Sequence, residues 1–356
     1  MSRAFQQRAG KLAARITKIV ALIIFVVLLV AAVLAQNYLV IKSSYIFESD
    51  KIPKTFVGYK IVQISDLRND KIGQVERIIS KAKPNIVIFT GNYVDNNGNY
   101  NNSVNLISRI AEKYNTVYVF GEMDKEYESN IENALNNTNA INIQNVCYNI
   151  NAPDIKYEDY IKRYIEKKYI KEADEDPEGQ AALYLQYTKE SLEEDADAVI
   201  KLSGASIMEG NIDFKEHMYK FVSLDKEVFQ LLVMNQGQLF KGVSEVDIDV
   251  VLAGNTFGME QNGYKRGRYS LNNTTMFLSG GIGNNKENSF RIFNMPNIVE
   301  ITLSDGTITD RNPLERLLDN LIADVGTRFD GDGGFKEYTY EYDGIHSKPK
   351  WKWIRI

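Results

Sequence analysis

Apolar and polar positions divide this 356-residue chain into one unbroken hydrophobic run and a long alternation of short strands with amphipathic helices. The run covers residues 19–35, close to the lower limit for an α-helix that crosses a bilayer. After it, residues 38–43 read as a strand, and residues 60–65, 85–90 and 116–120 are three β-branched or aromatic runs. Between these runs Val75, Ile78, Ile79 and Ala82 recur at helical spacing, as do Val104, Ile107, Ile110 and Ala111. Such a succession predicts a parallel α/β sheet whose ligands sit outside the carboxyl ends of its strands. Further strands are expected at residues 141–150, 198–202, 217–223, 229–234, 246–253, 276–279 and 298–303, enough for a second sheet packed on the first. Residues 152–197 change character and read as an acidic helical insertion, with residues 173–178 as a solvated loop. Beyond Asn312, an amphipathic helix is marked by Leu314, Leu317, Leu318, Leu321 and Ile322, and a closing hairpin by Asp343-Gly344.

Charge changes the picture at the N-terminus. Arg3, Arg8, Lys11, Arg15 and Lys18 precede the apolar run with no acidic residue among them. This flank predicts a cytoplasmic N-terminus and an exported body, held in the cell membrane by a single pass. A signal peptide cleaved after Val33-Leu34-Ala35 is the competing reading, but the run exceeds the usual apolar core of about 7–15 residues. The rest of the chain carries no basic stripe, and its net charge of −5 argues against nucleic acid as a partner. Cys147 is the only cysteine, so neither an intramolecular disulfide nor a cysteine-ligated zinc site can form. The only histidines are His217, expected in a strand, and His346 in the closing hairpin.

Five short segments in order carry more information. They are Ile64-Ser65-Asp66-Leu67, Phe89-Thr90-Gly91, Val119-Phe120-Gly121, Leu231-Leu232 and the run from Leu252 through Gly254, Asn255, Thr256 and Phe257 to Gly258. In this order and spacing the chain resembles the calcineurin-like metallophosphoesterases, in their membrane-anchored or exported bacterial branch. The resemblance implies an α/β fold, a four-layer α/β/β/α sandwich around a dinuclear metal centre. It divides the chain into a basic segment (1–18), a transmembrane anchor (19–36), a juxtamembrane segment (37–52), the phosphoesterase-like domain (53–310) and a C-terminal extension (311–356).

The same resemblance assigns the site position by position. Asp66 keeps the first-motif carboxylate, whereas Arg68 stands where the family has histidine and Asn92 where it has the bridging aspartate. Glu122 replaces the ligating asparagine, Met123 the catalytic histidine, Met234 a single histidine, and Asn255 and Phe257 the paired histidines of the last motif. Two divalent cations need oxygen or imidazole ligands and a bridging negative charge. A neutral Asn92 cannot supply the bridging charge, Met123, Met234 and Phe257 offer no useful lone pair to a hard cation, and Arg68 adds a positive charge that can serve Asp66 as counter-ion. No catalytic residue, dinuclear centre or other cofactor is therefore expected. At most one weakly held hard cation would lie near Asp66, Glu122 and Asp124, with Asp95 or Glu260 as further candidates. Asp330-Gly331-Asp332-Gly333-Gly334 reads as a glycine-rich turn, without the helices and distal glutamate of a calcium loop.

Fold does not carry activity with it. The expected function is a membrane-tethered extracytoplasmic pseudo-phosphoesterase, a binding, scaffold or regulatory domain at the cell envelope. The alternative is a weakly active metal-dependent enzyme that hydrolyses envelope or lipid phosphoesters. Expected partners are the membrane, an envelope protein or polymer, and an active relative of the family. In the tail, Tyr338, Tyr340 and Tyr342 alternate along one strand, and Trp351 and Trp353 alternate with Lys350 and Lys352 along the next. These aromatics either pack the hairpin on the domain or meet anionic head groups.

Overall fold

Side chains along the strands alternate between two destinations, and this alternation builds two sheets with three apolar clusters. The computed structural model describes residues 3–70, 73–165, 167–207, 214–222, 225–256, 263–283 and 295–306. It opens with helix α1 (Arg3–Tyr38), followed by β1 (Ile41–Glu48), β2 (Lys60–Ile64), α2 (Gly73–Ala82), β3 (Ile86–Phe89), α3 (Asn101–Ala111), β4 (Asn115–Tyr118), α4 (Glu128–Leu135) and β5 (Ala140–Asn142). The chain continues through β6 (Cys147–Asn151), three helices α5 (Tyr157–Tyr164), α6 (Lys167–Glu175) and α7 (Gln180–Glu194), and then β7 (Val199–Gly204). It ends with α8 (Phe214–Met218), β8 (Gln230–Gln236), α9 (Phe240–Val243), β9 (Val250–Gly254), β10 (Gly267–Leu271), β11 (Thr274–Leu278) and β12 (Asn297–Ser304).

Each sheet has six strands, in the orders β1-β12-β2-β3-β4-β5 and β10-β11-β9-β8-β7-β6. In the first, β2 to β5 run parallel, β12 lies antiparallel to β2, and β1 is parallel to β12. In the second, β7, β8, β9 and β11 run parallel, with β6 and β10 antiparallel at the two edges. The fold is thus mixed α/β with two parallel-rich sheets.

Ile61, Ile86, Ile88, Val117, Val119, Val299 and Ile301 of the first sheet share one buried cluster with Leu202, Leu231, Val233, Val250, Leu252 and Phe277 of the second. The residues between them along the first sheet, Val62, Ile64, Val87, Phe89 and Tyr118, pack with Val75, Ile79, Ile107 and Ile131 of helices α2 to α4. On the second sheet Leu232, Met234, Val251, Ala253 and Met276 pack with Met218, Phe240 and Val243. Period-two alternation with both faces apolar is what a sheet covered on both sides requires.

The three helices between β6 and β7 have their own small core of Tyr160, Ile165 and Leu192 with Val57. They are fixed to the body where Asp195 accepts the Lys54 amide at 2.6 Å through Oδ2 and the Thr55 hydroxyl at 3.1 Å through its carbonyl. Helix α1 contains Ala13–Val33, long and apolar enough to cross a membrane, with a mean hydropathy of 3.0.

Several sequence expectations change. Of the strand expected at 217–223, the described residues 217–222 are not extended: His217 belongs to α8, and Met218, Phe221 and Val222 turn one face into the outer cluster. Their spacing of three and four is helical rather than alternating. Residues 141–150 are two strands in different sheets, separated by a turn at Asn145 with φ 57. The expected loop at 173–178 is helical through Glu175. Tyr38 ends α1 rather than starting β1. The expected C-terminal helix, hairpin and glycine-rich turn lie outside the described residues, as do Phe257, Glu260 and His346.

Leu252 fills the space between the sheets, so Leu252→Ala should cost about 2–5 kcal/mol. Leu183 on α7 is 58% exposed, and Leu183→Ala should change stability by no more than about 0.5 kcal/mol. Chemical denaturation of the full chain in detergent micelles compares the two.

Candidate functional site

The carboxyl ends of the parallel strands deliver one polar cluster. β2 leads into Ser65, Asp66 and Arg68, β3 into Thr90, Gly91 and Asn92, and β9 into Asn255. Asp66, Asn92 and Asn255 have φ angles of 53°, 62° and 65°. This left-handed conformation is tolerated best by asparagine and aspartate among residues with a side chain. It turns the chain out of each strand while all three side chains stay buried.

Asn92 joins the three. Its Nδ2 donates to Asp66 Oδ1 at 2.7 Å and to Asn255 Oδ1 at 3.0 Å, and its Oδ1 accepts the Met123 amide at 3.0 Å. A carboxylate on one side and a backbone donor on the other fix the orientation of this carboxamide. Asp66 also accepts the Asn255 amide at 3.2 Å and the Ser65 hydroxyl at 3.0 Å. Asn255 Nδ2 and Thr90 Oγ1 are buried with no hydrogen-bond partner among the described residues.

Asp124 holds the loops around this network. It is fully buried, and its carboxylate accepts four backbone amides: Asn92 and Tyr93 at 2.7 Å, Gly121 at 2.8 Å and Val94 at 3.1 Å. Burial pushes its carboxyl up to about 7, opposed by these four N–H groups, which favour the charged form. Its oxygens are thus engaged with the backbone rather than turned toward Asp66 or Glu122.

The loops approach so closely that a side chain on either glycine would collide. A Cβ on Gly91 would lie 2.4 Å from the Gly121 nitrogen, and one on Gly121 would lie 2.3 Å from Asn92 Oδ1. Gly281, which follows β11 with φ 71, is equally close to Asp66, whose Oδ2 would be 2.6 Å from an added Cβ.

The other expected site residues are placed differently. Arg68 is buried, and its Nη2 donates to Asn96 Oδ1. Glu122 is exposed and accepts Gln236 Nε2 at 3.1 Å and Gln238 Nε2 at 3.4 Å. Asp95 folds its own loop, accepting the Asn97 and Asn99 amides at 2.8 and 2.9 Å. Asp66, Glu122 and Asp124 are therefore not brought together as one cation site, and no cluster of three potential ligands occurs among the described residues.

Met234 faces the outer apolar cluster, not the crevice. The next residue, Asn235, reaches the site, donating to the Thr90 carbonyl at 2.7 Å and accepting the Glu122 amide at 3.2 Å. The resemblance points to Met234 and misses Asn235. Its signal is present in the chain, an amide at the carboxyl end of an apolar strand, where Asn92 and Asn255 also sit.

These donors do not fit a dinuclear metal centre. A cation requires lone pairs directed at it, whereas Asn92 directs N–H groups at both Asp66 and Asn255.

No family model matches the chain, and no curated protein matches it. Among solved structures it is similar to TT1561 of Thermus thermophilus, with a TM-score of 0.35 and 10% identity over 63% of this chain and 89% of that one. It is also similar to the Thermus thermophilus sulfate thiohydrolase SoxB in complex with glycerol, with a TM-score of 0.34 and 9% identity over 79% of this chain and 62% of that one. Likenesses this weak carry no argument about the site.

Two substitutions test the network. Asn92→Asp sets a second buried carboxylate against Asp66 and should cost on the order of 3–5 kcal/mol at neutral pH. The loss should shrink on acidification, as the pair shares a proton; thermal unfolding across pH reads both effects. For Asp124, the folded carboxyl binds its proton more tightly than the unfolded one. The protonated group thus favours folding, and its contribution is lost as pH rises from about 4 to about 7. Asp124→Asn should lower stability throughout, because an amide nitrogen cannot accept the backbone donors, and should remove that decline.

Proposed function

We propose that this protein is a membrane-tethered pseudo-phosphoesterase of the calcineurin-like type, a four-layer sandwich that binds or scaffolds at the cell envelope and no longer turns over phosphoesters. The observation that carries the reading is the Asn92 carboxamide bonded to both Asp66 and Asn255. In the family pattern these positions hold the bridging carboxylate and metal ligands. Here the amide protons neutralise the lone pairs that a pair of cations would otherwise occupy.

Three further features support it. Motif segments in family order end at the carboxyl edges of parallel strands, where such a site is built. Met123 offers no imidazole to protonate a leaving group, and Glu122 is engaged with Gln236 and Gln238. Helix α1 supplies a segment long enough to hold the chain in a bilayer, with its basic flank inside and the body from residue 37 onward outside. The domain would then meet an envelope protein, a polymer or an active relative outside the membrane.

Purified full-length protein should carry no stoichiometric manganese, iron or zinc by elemental analysis, and should not cleave an aryl phosphodiester. Two tightly bound transition metals per chain would overturn the proposal. Restoring Arg68→His, Asn92→Asp, Glu122→Asn, Met123→His, Asn235→His, Asn255→His and Phe257→His together should recover metal binding. Any one alone should not, because a single ligand cannot meet the coordination demand.

A further inference from the structure

We infer that the crevice end of the sheets is the end held against the membrane, and that its ligand is a lipid headgroup. The inference rests on reading α1 as the tether, and its substance comes from strand direction. β1 is parallel to β12, and β12 is antiparallel to β2. The start of β1 therefore lies at the end of the sheet where β2, β3 and β4 finish. Only Leu39 and Val40 separate the last residue of α1 from Ile41, the first of β1.

That junction is fixed to the body. Val40 is buried in the cluster of Ile64, Leu67, Ile282 and Ile298, and its amide donates to Gln74 Oε1 at 3.3 Å. The Ile41 amide donates to the Pro296 carbonyl at 2.8 Å, and the amide of the next residue, Asn297, donates to the Gly281 carbonyl at 3.2 Å. Gly281 is the glycine in contact with Asp66. Two backbone hydrogen bonds thus link the root of the tether to the centre of the crevice.

The reach is short. From Val33, the end of the apolar span, five helical residues and two extended ones cover roughly 15 Å at most, using helical and extended rises per residue. Chain leaving a bilayer there cannot swing the opposite end of the sheets toward the lipid without breaking the Val40 and Ile41 contacts. The loop after β3 also lies at this end and exposes Asn96, Asn97 and Asn99, with the Asn96 oxygen accepting from Arg68 and the Asn99 Nδ2 donating to Asp95 at 3.3 Å, so that the Asn96 Nδ2 and the Asn97 carboxamide face outward from the loop's own bonds. Carboxamides donate to phosphate and ester oxygens and both donate to and accept from hydroxyls, which suits a headgroup presented by the bilayer.

The test uses the full chain in phosphatidylcholine–phosphatidylglycerol nanodiscs containing a nickel-chelating lipid. A fluorophore is attached at Asn97→Cys, or at Lys113→Cys beyond the far end of α3, in a Cys147→Ser background. Quenching by the lipid-borne nickel should be several-fold stronger at 97 than at 113. Equal quenching, or the reverse, overturns the orientation. Amide exchange at residues 92–99 should be slower in the nanodisc than in lipid-free amphipol, with no change at 112–114. Unchanged exchange at 92–99 overturns the headgroup as ligand even if the orientation stands. Alkaline extraction of the chain from membranes would instead refute the tether, and so separates failure of that reading from failure of this one.

Discussion

The hydrogen bond from Asn92 to Asp66 is the contact on which the carboxyl edge of this fold depends. A buried carboxylate needs a compensating partner, and a crevice built from three strand ends needs something to draw those ends together. The Asn92 amide does both, giving one proton to Asp66 and the other to Asn255, while its oxygen holds the Met123 amide. An aspartate in the same place would reverse the sign of the contact, leaving two carboxylates facing each other without a cation. One nitrogen in place of one oxygen therefore separates a site that closes on itself from one that has to recruit charge.

Around that contact the backbone is held by Asp124. Four amides from two loops converge on one buried carboxylate, so the chain after β3 and the chain after β4 cannot move independently. The near-contact of Gly91 with Gly121 follows from this clamp, because the loops are drawn to a distance that no side chain would permit. Tyr93, buried beneath, donates to the Val119 carbonyl at 2.6 Å and packs edge-on against Tyr118 and Phe120. Polar closure above and aromatic packing below hold this edge of the sheet in one arrangement.

Strand direction brings this edge next to the end of α1. Because β1 enters antiparallel to β2, the chain that leaves α1 arrives directly at the carboxyl edge of the central strands. In a sheet with β1 reversed, the same helix would have led to the opposite end, away from Asp66, Asn92 and Asn255.

Apolar periodicity and chain order are local properties, and they were enough to mark the apolar N-terminal helix, the alternation of strands and helices, the second sheet and the strand ends where Asp66, Asn92 and Asn255 lie. Errors came from patterns that are locally ambiguous. Met218, Phe221 and Val222 fit a strand by composition but pack at helical spacing, and residues 141–150 hide a change of sheet behind one polar turn. Which polar atoms meet was settled by the folded chain. Asp124 reads as a solvated or metal-facing acid until the fold buries it among four amides. Met234 reads as a site residue until the strand's alternation turns it outward and brings Asn235 in. Neither fact is written in the residues themselves, because burial and facing depend on contacts between segments far apart along the chain.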